Sequence, residues 1–209
     1  MYSEVSICNM ALNNMGIGRV IAKLTDATEE ARACKRWYEP ARDELLQEYP
    51  WNWAAAVAEL APRSETSPLG AYVYAYPSSA LRVRNVFQAD TPTVRANWMI
   101  RRSASGGRII IADITPAVAE FTARVTDPTE FPPTFADALA WLLAAKLTLS
   151  LKGDGENRRG DVMQYYMLSK QKAVMADANE GLRRGVNVDD NLSLEAQTSV
   201  ITEYVDVRK

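Results

Sequence analysis

The chain has no histidine, only two cysteines, and no long apolar run in its 209 residues. Without His there is no Ser-His-Asp or Cys-His arrangement, no imidazole base working near neutral pH and no His-containing zinc site. Two thiols cannot build a four-cysteine cage. Cys8 and Cys34 both fall in helical apolar stripes, which predicts small buried thiols rather than a disulfide or a nucleophile and suits a reducing cytoplasm. The opening MYSEVSICNM lacks the basic and apolar regions of a signal peptide, and no stretch approaches about 18 uncharged apolar residues, so neither export nor a membrane partner is expected. Neither G-x-x-x-x-G-K-[ST] nor G-x-G-x-x-G occurs. The nearest glycine pair, Gly106-Gly107 beside Arg108, predicts a hairpin turn. The loop acids Asp154, Glu156 and Asp161 lack EF-hand order and have Arg158 and Arg159 between them, the pattern of a solvated turn. No cofactor, metal site or catalytic residue is predicted; paired acids such as Glu29 with Glu30 or Asp43 with Glu44 read as solvated helix charges, the acid-base pair of a small hydrolase being the remaining alternative.

What is present is helical at both ends of the chain and stranded in the middle. Ser3 is a natural N-cap for a helix carrying Cys8, Ala11, Leu12 and Met15, with Gly16 as its stop. A second helix, capped by Thr25 or Asp26, turns Ala31, Cys34, Trp37, Tyr38, Ala41, Leu45 and Tyr49 inward, and Pro40 inside it predicts a kink or a junction of two shorter helices. From Pro62 the helical period disappears. Alternation around Arg82, Arg84, Arg95 and Arg101, followed by Arg108–Ala112 and 119–125, predicts one antiparallel sheet of four or five strands between about Tyr72 and Val125. Helix returns after Phe131-Pro132-Pro133: a Thr134-capped helix so rich in Ala and Leu that it should be central, then one capped by Asp161 with Val162, Tyr165, Tyr166, Ser169, Ala173 and Ala176 inward. The expected fold class is therefore mainly α: a helical bundle (1–61 and 127–181) with an inserted small antiparallel β-sheet (62–126) and an extended C-terminal arm (182–209).

Charge is unevenly spread. Between Pro68 and Thr126 stand seven Arg and three acids, a net +4, so the remainder carries −6 of the chain's −2. Arg82, Arg84, Arg95, Arg101, Arg102 and Arg108 are candidates for a cationic sheet face meeting phosphate or carboxylate groups; a solvated face is the plain alternative. The aromatics Trp51, Trp53, Tyr72 and Tyr74 are candidates for an interface, or, for the two Trp, for anchors between helices and sheet. Val200, Ile201 and Tyr204 are candidate anchors in the polar C-terminal arm.

Several blocks in order, ICNMALNNMGIG, LTDATEEARACKRWYEPARDELL, PWNWA, YAYPSSALRV and VTDPTEFPPTFADALAWLLAAKL, resemble the tail tubular protein A family, the head-to-tail adaptors of short-tailed bacteriophages. The likeness runs from about Tyr2 to Gly181. It implies a non-catalytic virion protein, made in the host cytoplasm and assembled as a dodecameric ring at the head-tail interface. The portal protein would lie on one side, a tail nozzle or tail tube protein on the other, and double-stranded DNA would pass through the lumen. A DNA-binding packaging or regulatory module using the Arg-rich β region is the alternative.

Overall fold

The computed structural model describes residues 1–67, 71–93, 95–151 and 156–181. Helix α1 (Glu4–Asn14) and α2 (Glu29–Glu48) come first. Six strands follow: β1 (Ala55–Glu59), β2 (Tyr72–Ala75), β3 (Ala80–Gln88), β4 (Trp98–Arg102), β5 (Arg108–Ala112) and β6 (Ala117–Ala123). Helices α3 (Pro133–Leu151) and α4 (Glu156–Gly181) close the described chain. The expectation of a mainly α fold is corrected: 46% of the chain is helical and 22% stranded, a mixed α/β protein with two three-stranded antiparallel sheets and not one. The sheets are ordered β1-β6-β3 and β2-β5-β4. Two sheets arise because the strands are apolar on the faces that meet. Val83, Val86, Ala119 and Phe121 of the first sheet share a buried core with Tyr74, Ile110 and Ala112 of the second, the packing of a small β-sandwich. Strand β1 enlarges the stranded share, pairing Val57 with Glu120 of β6.

The helical layer has its own core. Ser3 and Ser6 cap α1 reciprocally: the Ser3 hydroxyl accepts from the Ser6 amide at 3.1 Å, and the Ser6 hydroxyl accepts from the Ser3 amide at 2.8 Å. Gly16, at φ 72°, takes the left-handed position that ends the helix, where a side chain would be strained. Helix α3 is buried on nearly every side, from Phe135 through Leu139 and Leu143 to Leu147, and packs against α1, α2 and α4. Cys8 and Cys34 are free thiols in this core. Their mutual hydrogen bond and burial push the Cys8 thiol up, which keeps Cys8 in its unreactive protonated form.

Three helical expectations are adjusted. Thr28, not Thr25 or Asp26, caps α2, its hydroxyl accepting from the Ala31 amide at 3.2 Å, while Asp26 holds the Ala22 and Lys23 amides of the preceding turn. Helix α4 starts at Glu156, five residues before Asp161, and turns Tyr165 outward onto Trp141, ring centroids 4.8 Å apart. Helix α2 runs through Pro40 without interruption. Both Pro40 and Arg36, whose carbonyl lacks the amide of position 40, lie on the exposed face, so water can serve that carbonyl. An interior proline still costs helix stability, offset in part by the stiffer unfolded chain. Pro40→Ala is therefore expected to raise the stability by about 2 kcal/mol, measured by chemical denaturation.

Candidate interaction surfaces and the helix-sheet junction

The segment Tyr49–Ala54 links α2 to β1, and its residue types explain how helices and sandwich are held together. Trp51 is fully buried and donates its indole N–H to the Leu45 carbonyl at 2.8 Å. Its ring lies edge-on to Tyr49 and Phe135, with centroids 5.1 and 5.2 Å away. Trp53 meets the same Phe135 at 4.8 Å. Such edge-to-face contacts add to the large area these rings bury.

Two charged side chains fasten this wedge from opposite sides. From β3, Arg84 donates to the Trp51 carbonyl at 2.6 Å and to the Thr122 hydroxyl at 3.0 Å, with the Glu120 carboxylate 3.9 Å away. Burial pulls the Arg84 guanidinium below its ordinary value, and Glu120 and Asp177 oppose that shift. From α4, the buried Asp177 carboxylate accepts from the Asn52 amide at 2.9 Å and the Trp53 amide at 3.3 Å, and its own backbone carbonyl accepts from the Asn52 side chain at 3.0 Å. These amides open a short 3₁₀ turn, Asn52–Ala54, where donors have no helical partner. A third link joins Arg124 to Asp43 of α2 at 3.0 Å, where Asp43 also holds the buried Arg42 at 2.8 Å.

The remaining candidate residues do not gather at one place. Tyr74 is buried and donates its hydroxyl to the Ile114 carbonyl at 2.8 Å, whereas Tyr72 is exposed. Arg82 lies on β3, opposite Thr122, in the first sheet. Arg101 and Arg102 lie on β4 of the second, on opposite faces because they are consecutive. Arg108 faces Arg102 across the ladder but stacks its guanidinium 3.8 Å above the Tyr76 ring. Arg95 is exposed beside the end of β3. The arginines are thus divided between two sheets and their faces, and two are spent on internal contacts. Val200, Ile201 and Tyr204 lie outside the described residues.

The turn between β4 and β5 is built as its glycines predict, with Gly106 and Gly107 at φ 99° and 81° and the Ser103 amide donating to the Gly107 carbonyl at 3.0 Å. Ser103 and Ser105 hydroxyls donate to the Glu65 carboxylate at 2.8 and 2.9 Å, and Arg63 pairs with it at 2.7 Å. The hydrogen bonds from Ser103 and Ser105, foremost among these contacts, hold the Glu65 carboxyl below its ordinary 4.5. A carboxyl whose folded value is depressed contributes stability above its unfolded value, and loses it as pH falls through the folded one. Amide exchange in the Ser103–Gly107 turn is expected to accelerate below pH 4.5, beyond the intrinsic rate, and Glu65→Gln should remove that pH dependence.

A hollow of about 530 Å³ over the start of α2 is lined by Arg19, Val20, Glu29, Glu30 and Arg32 among others. Arg19 reaches Glu30 at 3.6 Å across it. Among the described residues no three His, Cys, Asp or Glu side chains converge to hold a metal ion, and no helix is long and apolar enough to cross a membrane. Two features escape the sequence patterns. Asp177 has partners 124 and 125 residues away and so no local signature. The exposed Met163, Met167, Leu168 and Met175 are visible only if the outward face of α4 is inspected as closely as the inward one. Compared with known proteins, the chain matches no family model and no curated sequence.

Proposed function

We propose that this chain is a virion structural protein of a short-tailed bacteriophage, a head-to-tail adaptor that acts by contact and not by catalysis. In this reading twelve copies form a ring between the portal protein and a tail nozzle or tail tube protein, and double-stranded DNA passes through the lumen. The observation that carries it is where the family-like blocks fall. ICNMALNNMGIG supplies Ile7, Cys8, Ala11 and Leu12 of the α1 face, PWNWA the junction wedge, and the FPPTFADALAWLLAAKL stretch the buried α3. The likeness thus includes residues that build the helical frame and lock it to the sandwich. A frame braced by Arg84 and Asp177 suits a part that must transmit load between head and tail. The acidic total, with a sequence pI of about 5.4, suits a lumen through which a polyanion slides without sticking.

Mixing the purified chain with a short-tailed phage portal and resolving the products by sedimentation tests the reading. Co-migration with the portal is expected, with DNA retained no more tightly than about micromolar at physiological salt. The DNA-module alternative predicts tight, steeply salt-dependent DNA binding and no portal complex. Arg82, Arg95 and Arg102, which are exposed, are the positions to neutralise in that comparison, since Arg84 is structural.

A further inference from the structure

The two cysteines stand on neighbouring helices and face each other. Cys8 lies on the buried face of α1 with Ile7, Ala11 and Leu12, and Cys34 on that of α2 with Ala31, Tyr38 and Ala41. Both are fully buried in one core, and both are free thiols. A hydrogen bond joins the two side chains. Tyr38, one turn beyond Cys34 and so on the same face, also stands near Cys8. The rotation of α1 that turns Cys8 toward α2 is held by the next residue. The Asn9 side chain donates to the Ile21 carbonyl at 3.0 Å and accepts from the Ile21 amide at 2.9 Å, clipping the connector between the two helices onto α1. Packing does less at this seam, since α1 leans chiefly on α3 and only lightly on α2.

We infer that Cys8 and Cys34 are a latent disulfide: glutathione disulfide, reaching them when α1 opens locally, converts them to a bond that ties α1 to α2 in the native fold. Side chains already in contact need little backbone movement to be bridged, whereas cysteines whose β-carbons point apart cannot be. The chain holds no other cysteine, so within one molecule the two have only each other to join. The hydrogen bond from Cys8 favours the Cys34 thiolate, which makes Cys34 the first to attack. Its sulfur bonds to one sulfur of glutathione disulfide and releases the other half as a thiolate. Cys8 gives its proton to that thiolate and displaces the second glutathione from the Cys34 sulfur. This second leaving thiolate takes up the proton that Cys34 had released to solvent. Two cysteine thiols are thereby oxidised, and one glutathione disulfide is reduced to two glutathione thiols. The inference stands on the helical frame and goes beyond the adaptor reading. In that reading the thiols stay reduced while the part is made in the cytoplasm and meet oxidant in the released particle, where the bond stiffens the finished part.

Refolding the full-length chain from urea, in buffers of graded reduced and oxidised glutathione, gives the reagent access to both sulfurs. Intact mass and a peptide map then read the product. The expected product is a monomer two hydrogens lighter than the reduced chain, with the Cys8 and Cys34 peptides joined and the helical circular dichroism of the reduced protein. Its formation should be about a hundredfold more favourable in the folded chain than in urea, which by linkage raises the thermal midpoint by about 5–10 °C. Dithiothreitol should abolish that gain, and Cys34→Ala should lack it. If Cys34→Ala does not fold, the reduced and oxidised wild-type forms decide by themselves. The native chain held in glutathione disulfide without urea should reach the same product more slowly, and that arm decides if refolding is incomplete. Helical chains that keep both thiols free or glutathione-capped in excess glutathione disulfide would overturn the inference. So would bonds formed only between two chains, a bond no more favourable in the folded state than in urea, or a linked form that melts no higher than the reduced one. No portal enters the test, so such a result leaves the adaptor reading in place.

Discussion

Replacing Trp51 by Ala is expected to destabilise the protein by about 3–5 kcal/mol, the range for deleting a large buried aromatic. Trp51 is wholly enclosed, and its indole touches Tyr49 and Phe135 while bonding the Leu45 carbonyl. Truncation removes the packed ring and also leaves that carbonyl without its donor. A total stability of 5–15 kcal/mol is normal for a folded protein, so the variant should sit near the edge of folding at 37 °C. Urea denaturation followed by tryptophan fluorescence measures the shift. Trp53→Ala, at a half-buried ring, should cost less, and equal losses would contradict the assignment of Trp51 as the wedge.

Asp177→Ala is the second large loss, about 3 kcal/mol. The carboxylate bonds two backbone amides of the Asn52–Ala54 turn in a buried setting, and a buried donor left unsatisfied costs about 1–3 kcal/mol. Asp177→Asn keeps an acceptor oxygen of the same shape and should recover about half. Hydrogen exchange locates the effect: the amides of Asn52 and Trp53 should lose protection in Asp177→Ala while α1 retains it. Equal loss of protection throughout would mean that Asp177 acts by global packing rather than by holding this turn.

Much of the helical frame was legible because its signals are local. Ser3 before an apolar stripe, Gly16 after it and the all-round Ala/Leu pattern of α3 each act within a few residues. Pro40 does not split α2 into two helices, because the amide it removes would have served a carbonyl on the solvent side and the buried face of α2 stays continuous. The sheets were harder. Alternation identifies a strand but not its neighbour, so nothing in the spacing of β3 and β5 shows that Val86 pairs with Ala119 while Ile110 pairs with Tyr74. Strand β1, AAVAE, has one β-branched residue and is held by pairing with β6 rather than by propensity. For the same reason the arginines looked like one cationic face. Sequence gives their number and period, but their division between two sheets is a property of pairing. Trp51 is enclosed at the junction, and Trp53 stands half-buried beside it against Phe135. Arg84, grouped by spacing with anion-binding candidates, serves a backbone carbonyl.

The proposed role requires the chain to close into a ring on a portal. Counting copies by native mass spectrometry of the purified chain mixed with portal addresses this directly, since each subunit adds 23.2 kDa. The expected result is a portal complex carrying twelve copies of the chain. A single 23.2 kDa species beside unaltered portal, at every ratio tried, would contradict it.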